Sequence, residues 1–158
     1  SIACQSIPTN VLTVTVQSVP IAGSVGSDQT ICSGGDPVAF TSITAASGDG
    51  AITYKWQSST DNITFTDIVG ATSITYDVPS GLSVTTYYRR VAISILNGNA
   101  CSVNTSSLTV TVNPIPTVNT ISNQTVCVGQ QFSTITFSGT VPSTVYNWTN
   151  NNTKQTIY

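Results

Sequence analysis

The sequence predicts an all-β protein built from tandem β-sandwiches, one complete and two partial, arranged as a rod. Of its 158 residues, 48 are Ser or Thr, none is Glu and only four are Lys or Arg. Thr, Val and Ile are typical of strands, whereas long helices are rich in Glu, Lys and Arg. In addition, short motifs recur about 95 residues apart, which is the signature of a repeated domain.

Five matching segments carry the repeat, in the same order in both copies. Segments 3–4, 12–16, 19–20, 29–32 and 54–56 recur as 100–101, 108–112, 115–116, 124–127 and 146–148. The phase of the matches assigns residues 1–20 to the end of a preceding repeat plus a linker. It makes 24–117 a complete repeat and 119–158 the first half of the next one. We therefore expect the chain to be a window from a longer array.

The complete repeat contains seven expected strands, separated by clusters of Gly, Pro, Asn, Asp and Ser. They lie at 28–32, 37–44, 51–58, 62–68, 73–78, 85–95 and 105–112. Seven short strands in roughly 90 residues, without a helical period, are typical of a two-sheet sandwich.

Alternation within the strands predicts which side chains form the core. In the last strand Leu108, Val110 and Val112 alternate with Thr, so these three should be buried. Tyr54 and Trp56 share one face of their strand and are predicted core aromatics. Trp148 occupies the position of Trp56 in the following repeat and is predicted to be a core residue there.

The strand 85–95 is harder to orient, because each face carries one arginine. The face with more apolar bulk is the one we expect to be buried, namely Tyr87, Arg89, Val91, Ile93 and Ile95. Arg89 must then lie at the end of the strand and extend its guanidinium to water.

The four cysteines recur with the repeat, and none has the C-x-x-C spacing of a zinc site. Cys32 follows the first strand and Cys101 precedes the last, so we predict a Cys32–Cys101 disulfide. Cys4 and Cys127 are then expected to pair with cysteines outside this segment. Recurring disulfides indicate an oxidising compartment, hence an extracellular or cell-surface protein.

The composition excludes several kinds of chemistry. Without His, a Ser–His–Asp triad is impossible, and we expect neither an enzyme nor a cofactor. A calcium site assembled from separate loops, with Asp61 and Asp67, is left open as an alternative to no metal site. Four cations and a net charge of −2 are too few for a nucleic-acid surface. No apolar run has the roughly 20 residues that span a membrane.

Prolines follow each expected last strand, at 17–20 and 113–116. Because proline fixes φ and favours an extended backbone, these joints are predicted to be short, stiff spacers.

The arrangement resembles the tandem immunoglobulin-like or PKD-like repeats of large Bacteroidota surface proteins, the gliding-motility adhesins and other cargo of type IX secretion. The segments that carry the resemblance are QTICSG (29–34), YKWQ (54–57), TYYR (86–89), ACS (100–102), LTVTVNP (108–114), QTVCVG (124–129) and YNWT (146–149). The resemblance implies export across the outer membrane and display as a long filament. It also implies adhesion to surfaces or polysaccharide, with neighbouring repeats and the secretion or motility machinery as partners.

The leading functional hypothesis is therefore an extended stalk that supports surface adhesion or gliding. One alternative is a carbohydrate-binding β-sandwich module, whose platform would include Tyr76 or Phe65. A further alternative is a filament subunit, in which strand 10–16 completes the half-unit 119–158 of a neighbouring copy. The sequence does not identify a ligand.

Overall fold

The computed structural model describes Asn10 and residues 12–149, and every regular element among them is a β-strand. The eight strands are β1 (Ser24–Val25), β2 (Gln29–Cys32), β3 (Ser42–Thr44), β4 (Ala51–Ser59), β5 (Thr66–Asp67), β6 (Thr86–Leu96), β7 (Asn99–Asn104) and β8 (Leu108–Asn113). The predicted all-β class is confirmed.

The strands form two sheets. The larger has the order β2-β8-β6-β4-β5, and β7 lies beside β8 on the same edge of β6. Strand β2 runs parallel to β8, and all other pairs are antiparallel. The smaller sheet pairs β1 with β3, and a single bridge joins Phe40 to Tyr76 nearby. The architecture is consistent with a β-sandwich.

The predicted strands agree best with the structure where the alternation of side chains is longest. Strands β2, β4, β6 and β8 lie within one to three residues of the predicted segments. The segments 37–44 and 62–68 contain only the short strands β3 and β5, and 73–78 contributes only the bridge at Tyr76. Short strands of this kind depend on tertiary pairing more than on local sequence.

Strand β7 was not predicted, although the turn before it has a clear local signal. Asn97 and Gly98 both have positive φ, 51° and 80°, and Leu96 pairs with Asn99 across them. An Asn-Gly pair is the preferred sequence of a two-residue hairpin turn, because both central residues need the left-handed region. The hairpin β6–β7 follows directly from this dipeptide.

The core lies between the two sheets and is rich in stacked aromatic rings. Trp56 is fully buried, with its ring centroid 5.8 Å from that of Phe40 and 5.5 Å from that of Tyr76. Its indole Nε1–H donates to the carbonyl of Ser73, so its polar atom is satisfied. The buried members of this core are Val25, Phe40, Trp56, Val78, Tyr88, Leu108 and Val110.

Most predicted core residues lie where the alternation indicated. Trp56, Leu108 and Val110 are buried, and Tyr54 and Val112 are half-buried. Trp148 is 57% exposed, but it lies in a half-unit, so the prediction that it is a core residue of a complete repeat stays a prediction. Two rings stack on Trp56, whereas none of the described residues places a ring on Trp148.

The predicted buried face of strand β6 is wrong. The alternate residues Thr86, Tyr88, Arg90, Ala92 and Ser94 point inward, and of the predicted set only Val91 is buried. Arg90 lies directly opposite Trp56 in the sheet and has no exposed surface. Counting the apolar side chains on each face gave the wrong orientation, because the face that is actually buried includes Arg90, which the core accommodates.

Neutral oxygens surround the buried Arg90 guanidinium, and none of its hydrogen bonds goes to a carboxylate. Its four hydrogen bonds, of 2.9–3.3 Å, go to Ser42 Oγ and to the carbonyls of Ala22, Thr44 and Ile74. The guanidinium also lies 4.8 Å from the centroid of the Tyr54 ring, a cation–π contact. Burial lowers the pKa of Arg90, but a guanidinium stays charged in proteins. These contacts therefore offset the cost of removing its charge from water.

Outside 21–113 the described residues form no strand. Leu12, Val14 and Val16 were expected in the last strand of a preceding unit, yet each is at least 78% exposed. Residues 114–149 are largely exposed as well, and their local contacts are described below.

Replacing Arg90 with Met should destabilise the fold by about 2–3 kcal/mol, because three part-buried carbonyls and Ser42 lose their donor. The matched control is Arg89→Met, next in sequence but half-exposed on the opposite face, with an expected loss under about 1 kcal/mol. Urea denaturation of both variants measures the two values. Equal losses would contradict the role assigned to Arg90.

Candidate functional site

The predicted Cys32–Cys101 disulfide is wrong, because strand register holds the two residues at opposite ends of the larger sheet. Cys101 pairs with Ser94 of β6, whereas Cys32 pairs with Asn113, beyond the level of Thr86. At 3.3 Å per residue their separation along the sheet is roughly 30 Å, far more than the 7 Å limit between bridged Cα atoms. Both thiols are free.

The other two predicted cysteine pairings remain untested. Cys127 is exposed and free within the described residues, and Cys4 lies outside them. Their proposed partners lie beyond this segment, so both pairings remain predictions.

The recurring motif around Cys32 and Cys127 forms the same turn in both places. The Gly35 N–H donates to the carbonyl of Cys32 at 2.9 Å, and the Gln130 N–H donates to that of Cys127 at 3.0 Å. A glycine with positive φ occupies the same position in each turn, Gly34 at 80° and Gly129 at 86°. The recurring cysteine is therefore part of a turn that has the same structure in both copies.

A glutamine fixes the start of the same motif in both copies. Gln29 Nε2 donates to the Val38 carbonyl at 2.6 Å, and the Val38 N–H donates back to Gln29 Oε1 at 2.7 Å. Gln124 makes the equivalent pair of bonds with Ser133, at 3.0 and 2.7 Å. Each glutamine spans nine residues, so its side chain pairs with the backbone as a neighbouring strand would. Both glutamines belong to the recurring sequence motifs, but the motifs alone did not indicate that their side chains bind the backbone nine residues away.

The two calcium candidates, Asp61 and Asp67, already have protein partners. Asp61 Oδ1 accepts hydrogen bonds from Ser59 Oγ and from the backbone N–H groups of Ile63 and Thr64. These bonds, that from Ser59 foremost, lower the pKa of Asp61 to about 2. Among the described residues no group of three potential metal ligands occurs.

Asp67 belongs to a polar network on the outer face of the larger sheet. Lys55 Nζ donates to Asp67 Oδ2 at 2.8 Å, which lowers the pKa of Asp67, and Gln57 Nε2 donates to Oδ1 at 2.6 Å. Arg89 Nε donates to Gln57 Oε1 at 2.7 Å, and its guanidinium lies 4.0 Å from the Phe65 ring centroid. The polar groups of this network are therefore hydrogen-bonded to one another.

The aromatic rings considered as a sugar platform are therefore engaged elsewhere. Tyr76 packs against the core between Trp56 and Tyr88, and burial raises its pKa. Phe65 lies under Arg89. Two open clefts within the described part of the chain have volumes of 330 and 220 Å³. Their linings contain no carboxylate and no cation.

The strongest candidate for a functional feature is the joint that leads into the folded unit, residues 17–21. Gln17 Nε2 donates to the Ser94 carbonyl at 3.0 Å, and the Ser18 N–H donates to Asp49 Oδ2 at 2.6 Å. Ile21 and Ser47 exchange two backbone hydrogen bonds, of 2.8 and 3.1 Å. The N–H of Ser18 lowers the pKa of Asp49. Pro20 between these contacts is buried, so the whole joint is attached to the unit.

Two glycines allow close packing at the end of the unit beneath the joint, and one of them, Gly48, faces the joint itself. A Cβ placed on Gly48 would lie 2.7 Å from Ser94 Oγ and 3.2 Å from Pro20 Cβ. A Cβ on Gly50 would collide with the carbonyl of Ile95. Close backbone approach is the reason for glycine at both positions.

The chain belongs to a family described as a domain of unknown function (DUF8696), which matches residues 21–114, more than half of the chain. The match begins at the joint residue Ile21 and includes all eight strands. No curated protein and no solved structure matches the chain. No helix that could cross a membrane is found in the part of the chain that the structure describes.

Peptide mapping after non-reducing digestion should recover Cys32 and Cys101 as separate, alkylated peptides, because their strands hold them far apart. Labelling of the native protein should modify Cys32 faster than Cys101, since Cys32 is the more exposed of the two. A cross-linked Cys32–Cys101 peptide from monomeric protein would contradict the strand register.

Asp61 should titrate with a midpoint near 2 in the folded protein. Its folded pKa lies below 3.8, the ordinary value of an aspartate, so its hydrogen bonds stabilise the fold above pH 4. This contribution should disappear as the pH falls from about 4 to about 2. Carboxyl NMR titration measures the midpoint directly, and Asp61→Asn should flatten the acid dependence of the melting temperature. A midpoint near 4 would contradict the hydrogen-bonded turn.

Proposed function

We propose that the chain is a structural repeat of a long secreted surface protein, an extended stalk that supports adhesion or gliding. The observation that carries the proposal is the joint at residues 17–21, which is hydrogen-bonded to the unit at Gln17, Ser18 and Ile21. A tether that only connects domains needs no such contacts, whereas a rod needs a fixed direction between successive units.

The repetition of local structure also supports the proposal. The turn at Cys32 and the glutamine bonds of Gln29 recur at Cys127 and Gln124 with matching geometry. A second copy that begins in the same way favours tandem immunoglobulin-like or PKD-like units in the manner of Bacteroidota surface adhesins. We assign no catalytic role and no cofactor to the unit.

The proposed extracellular location no longer rests on a disulfide, since Cys32 and Cys101 are free. It rests on the resemblance to exported repeats and on a sequence rich in Ser, Thr and Asn. Neighbouring repeats of the same chain are the proposed partners, and surface polysaccharide and the secretion or motility machinery are the proposed distant ones.

The carbohydrate-binding alternative has little support, because Tyr76 packs in the core and Arg89 covers Phe65. The head-to-tail filament alternative stays a prediction.

A stiff joint should be visible in the backbone dynamics of the full chain. The amides of Ser18 and Ile21 should have NMR order parameters near 0.85, the value of rigid backbone. Asp49→Ala removes the acceptor of the Ser18 N–H and should lower the order parameter of Ser18. Asp49→Asn is the matched control, because it keeps an oxygen at that position.

The stalk proposal fails if Ser18 and Ile21 both have order parameters below about 0.6, the range of flexible segments. Small-angle scattering of the full chain provides a second readout. A radius of gyration near 15 Å, expected for a compact globule of this length, would also contradict an extended arrangement.

A further inference from the structure

The first and last strands of the larger sheet have a geometry that determines how the unit responds to tension. Strands β2 and β8 are parallel neighbours, with Gln29 opposite Val110 and Cys32 opposite Asn113. The chain enters this pair at Gln29 and leaves it at Asn113, at the opposite end. Tension on the C-terminal side reaches β8 first, whereas on the N-terminal side the joint and β1 precede β2. Once these contacts are released, tension pulls β2 and β8 in opposite directions along their common axis.

A parallel pair that is pulled in this way is loaded in shear. Its hydrogen bonds are evenly spaced along the two strands. Because the pull runs along the strands, these bonds share the force and must break together. In an antiparallel hairpin pulled at its open end, the bonds break one after another. Strand β8 also links this sheared pair to the central strand β6.

Additional hydrogen bonds hold both ends of this pair. At the entry end, the Thr109 N–H of β8 donates to Asp28 Oδ1 at 2.8 Å. At the exit end, the Ser33 N–H donates to the Asn113 carbonyl at 2.8 Å. The two bonds extend the ladder by one contact on each side. The glutamine bonds of Gln29 to Val38 also attach the start of β2 to the chain that follows it.

We propose that the β2–β8 pair, closed by Asp28 and Ser33, is a shear-loaded clamp that keeps the unit folded while the stalk is under tension. This inference rests on the proposed stalk function and adds to it a load-bearing role for specific residues. Forced unfolding is governed by the unfolding rate, so the clamp acts as a kinetic barrier along the direction of pull.

The alternation of backbone groups provides a matched pair of proline variants. The Ser33 N–H points to β8, so the Ile31 N–H, two residues earlier, points to β8 as well. The Thr30 N–H points away, to the open side of β2, which is the edge strand of the sheet. Ile31→Pro therefore removes one bond of the clamp, whereas Thr30→Pro introduces the same ring without removing one.

Three further variants distinguish the effect of a lost backbone hydrogen bond from the effects of lost side-chain packing and lost charge. Ile31 packs against the core, so Ile31→Ala measures the loss of packing with the N–H retained. Asp28→Ala removes the acceptor of the Thr109 N–H, and Asp28→Asn keeps an oxygen there. The Asp28 pair tests the clamp even if Ile31→Pro does not fold.

The experiment is single-molecule force spectroscopy on the full chain, held through handles at its two ends. We expect wild type, Thr30→Pro and Asp28→Asn to unfold at similar force. Asp28→Ala should unfold at lower force, and Ile31→Pro at lower force than either Ile31→Ala or Thr30→Pro. The clamp is overturned if Asp28→Ala unfolds at the wild-type force. It is also overturned if a folded Ile31→Pro unfolds at the same force as Thr30→Pro or Ile31→Ala.

The outcome is distinguishable from a failure of the stalk proposal, which the dynamics of Ser18 and Ile21 test. If the joint is ordered and the variants unfold at equal force, the stalk proposal stands and the clamp proposal fails. If the joint is flexible and the variants differ in unfolding force as expected, the stalk proposal fails and the shear-loaded pair is supported.

Discussion

The fold depends on one buried cation. Arg90 connects β6 to segments with which β6 forms no strand pairing, because its two terminal nitrogens reach the chain before β1, strand β3 and the loop at Ile74. Since every partner is a neutral oxygen, the arrangement is sensitive to geometry: a small displacement leaves either a charge or a carbonyl unpaired in the interior. The inner face of β6 can carry this arginine only because four acceptors converge on it, with the Tyr54 ring beside it.

The sequence predicted the fold class, and it predicted the core wherever side-chain alternation was regular. Trp56, Leu108 and Val110 are buried as expected. The face of β6 was not predictable by counting apolar side chains, because Arg90 and Ser94 are buried for their hydrogen bonds and Ile95 is exposed. The β6–β7 hairpin, by contrast, could have been predicted, because Asn97-Gly98 is a recognisable turn sequence. The short strand β1 has no equivalent signal and lies outside every predicted strand.

The candidate site was predicted less well, for a reason that the motif around Cys32 makes clear. A residue that recurs at a fixed repeat position has a structural role there, and a disulfide is the most familiar role for cysteine. In this fold the recurring elements are the glutamine bonds and the glycine turn on either side of the cysteine. The joint at residues 17–21 was predicted to be stiff from its proline, and its hydrogen bonds to Ser94 and Asp49 add a second cause.

The outer network of Lys55, Gln57, Asp67 and Arg89 has a consequence for the medium in which such a unit works. Of the chain's ten charged side chains, Arg90 is buried and Lys55 and Asp67 neutralise each other at 2.8 Å. The other seven include five aspartates, so the unit has a sparse net negative charge that salt can screen. Repulsion between the proposed adjacent units should therefore be weak, and it should fall further as ionic strength rises.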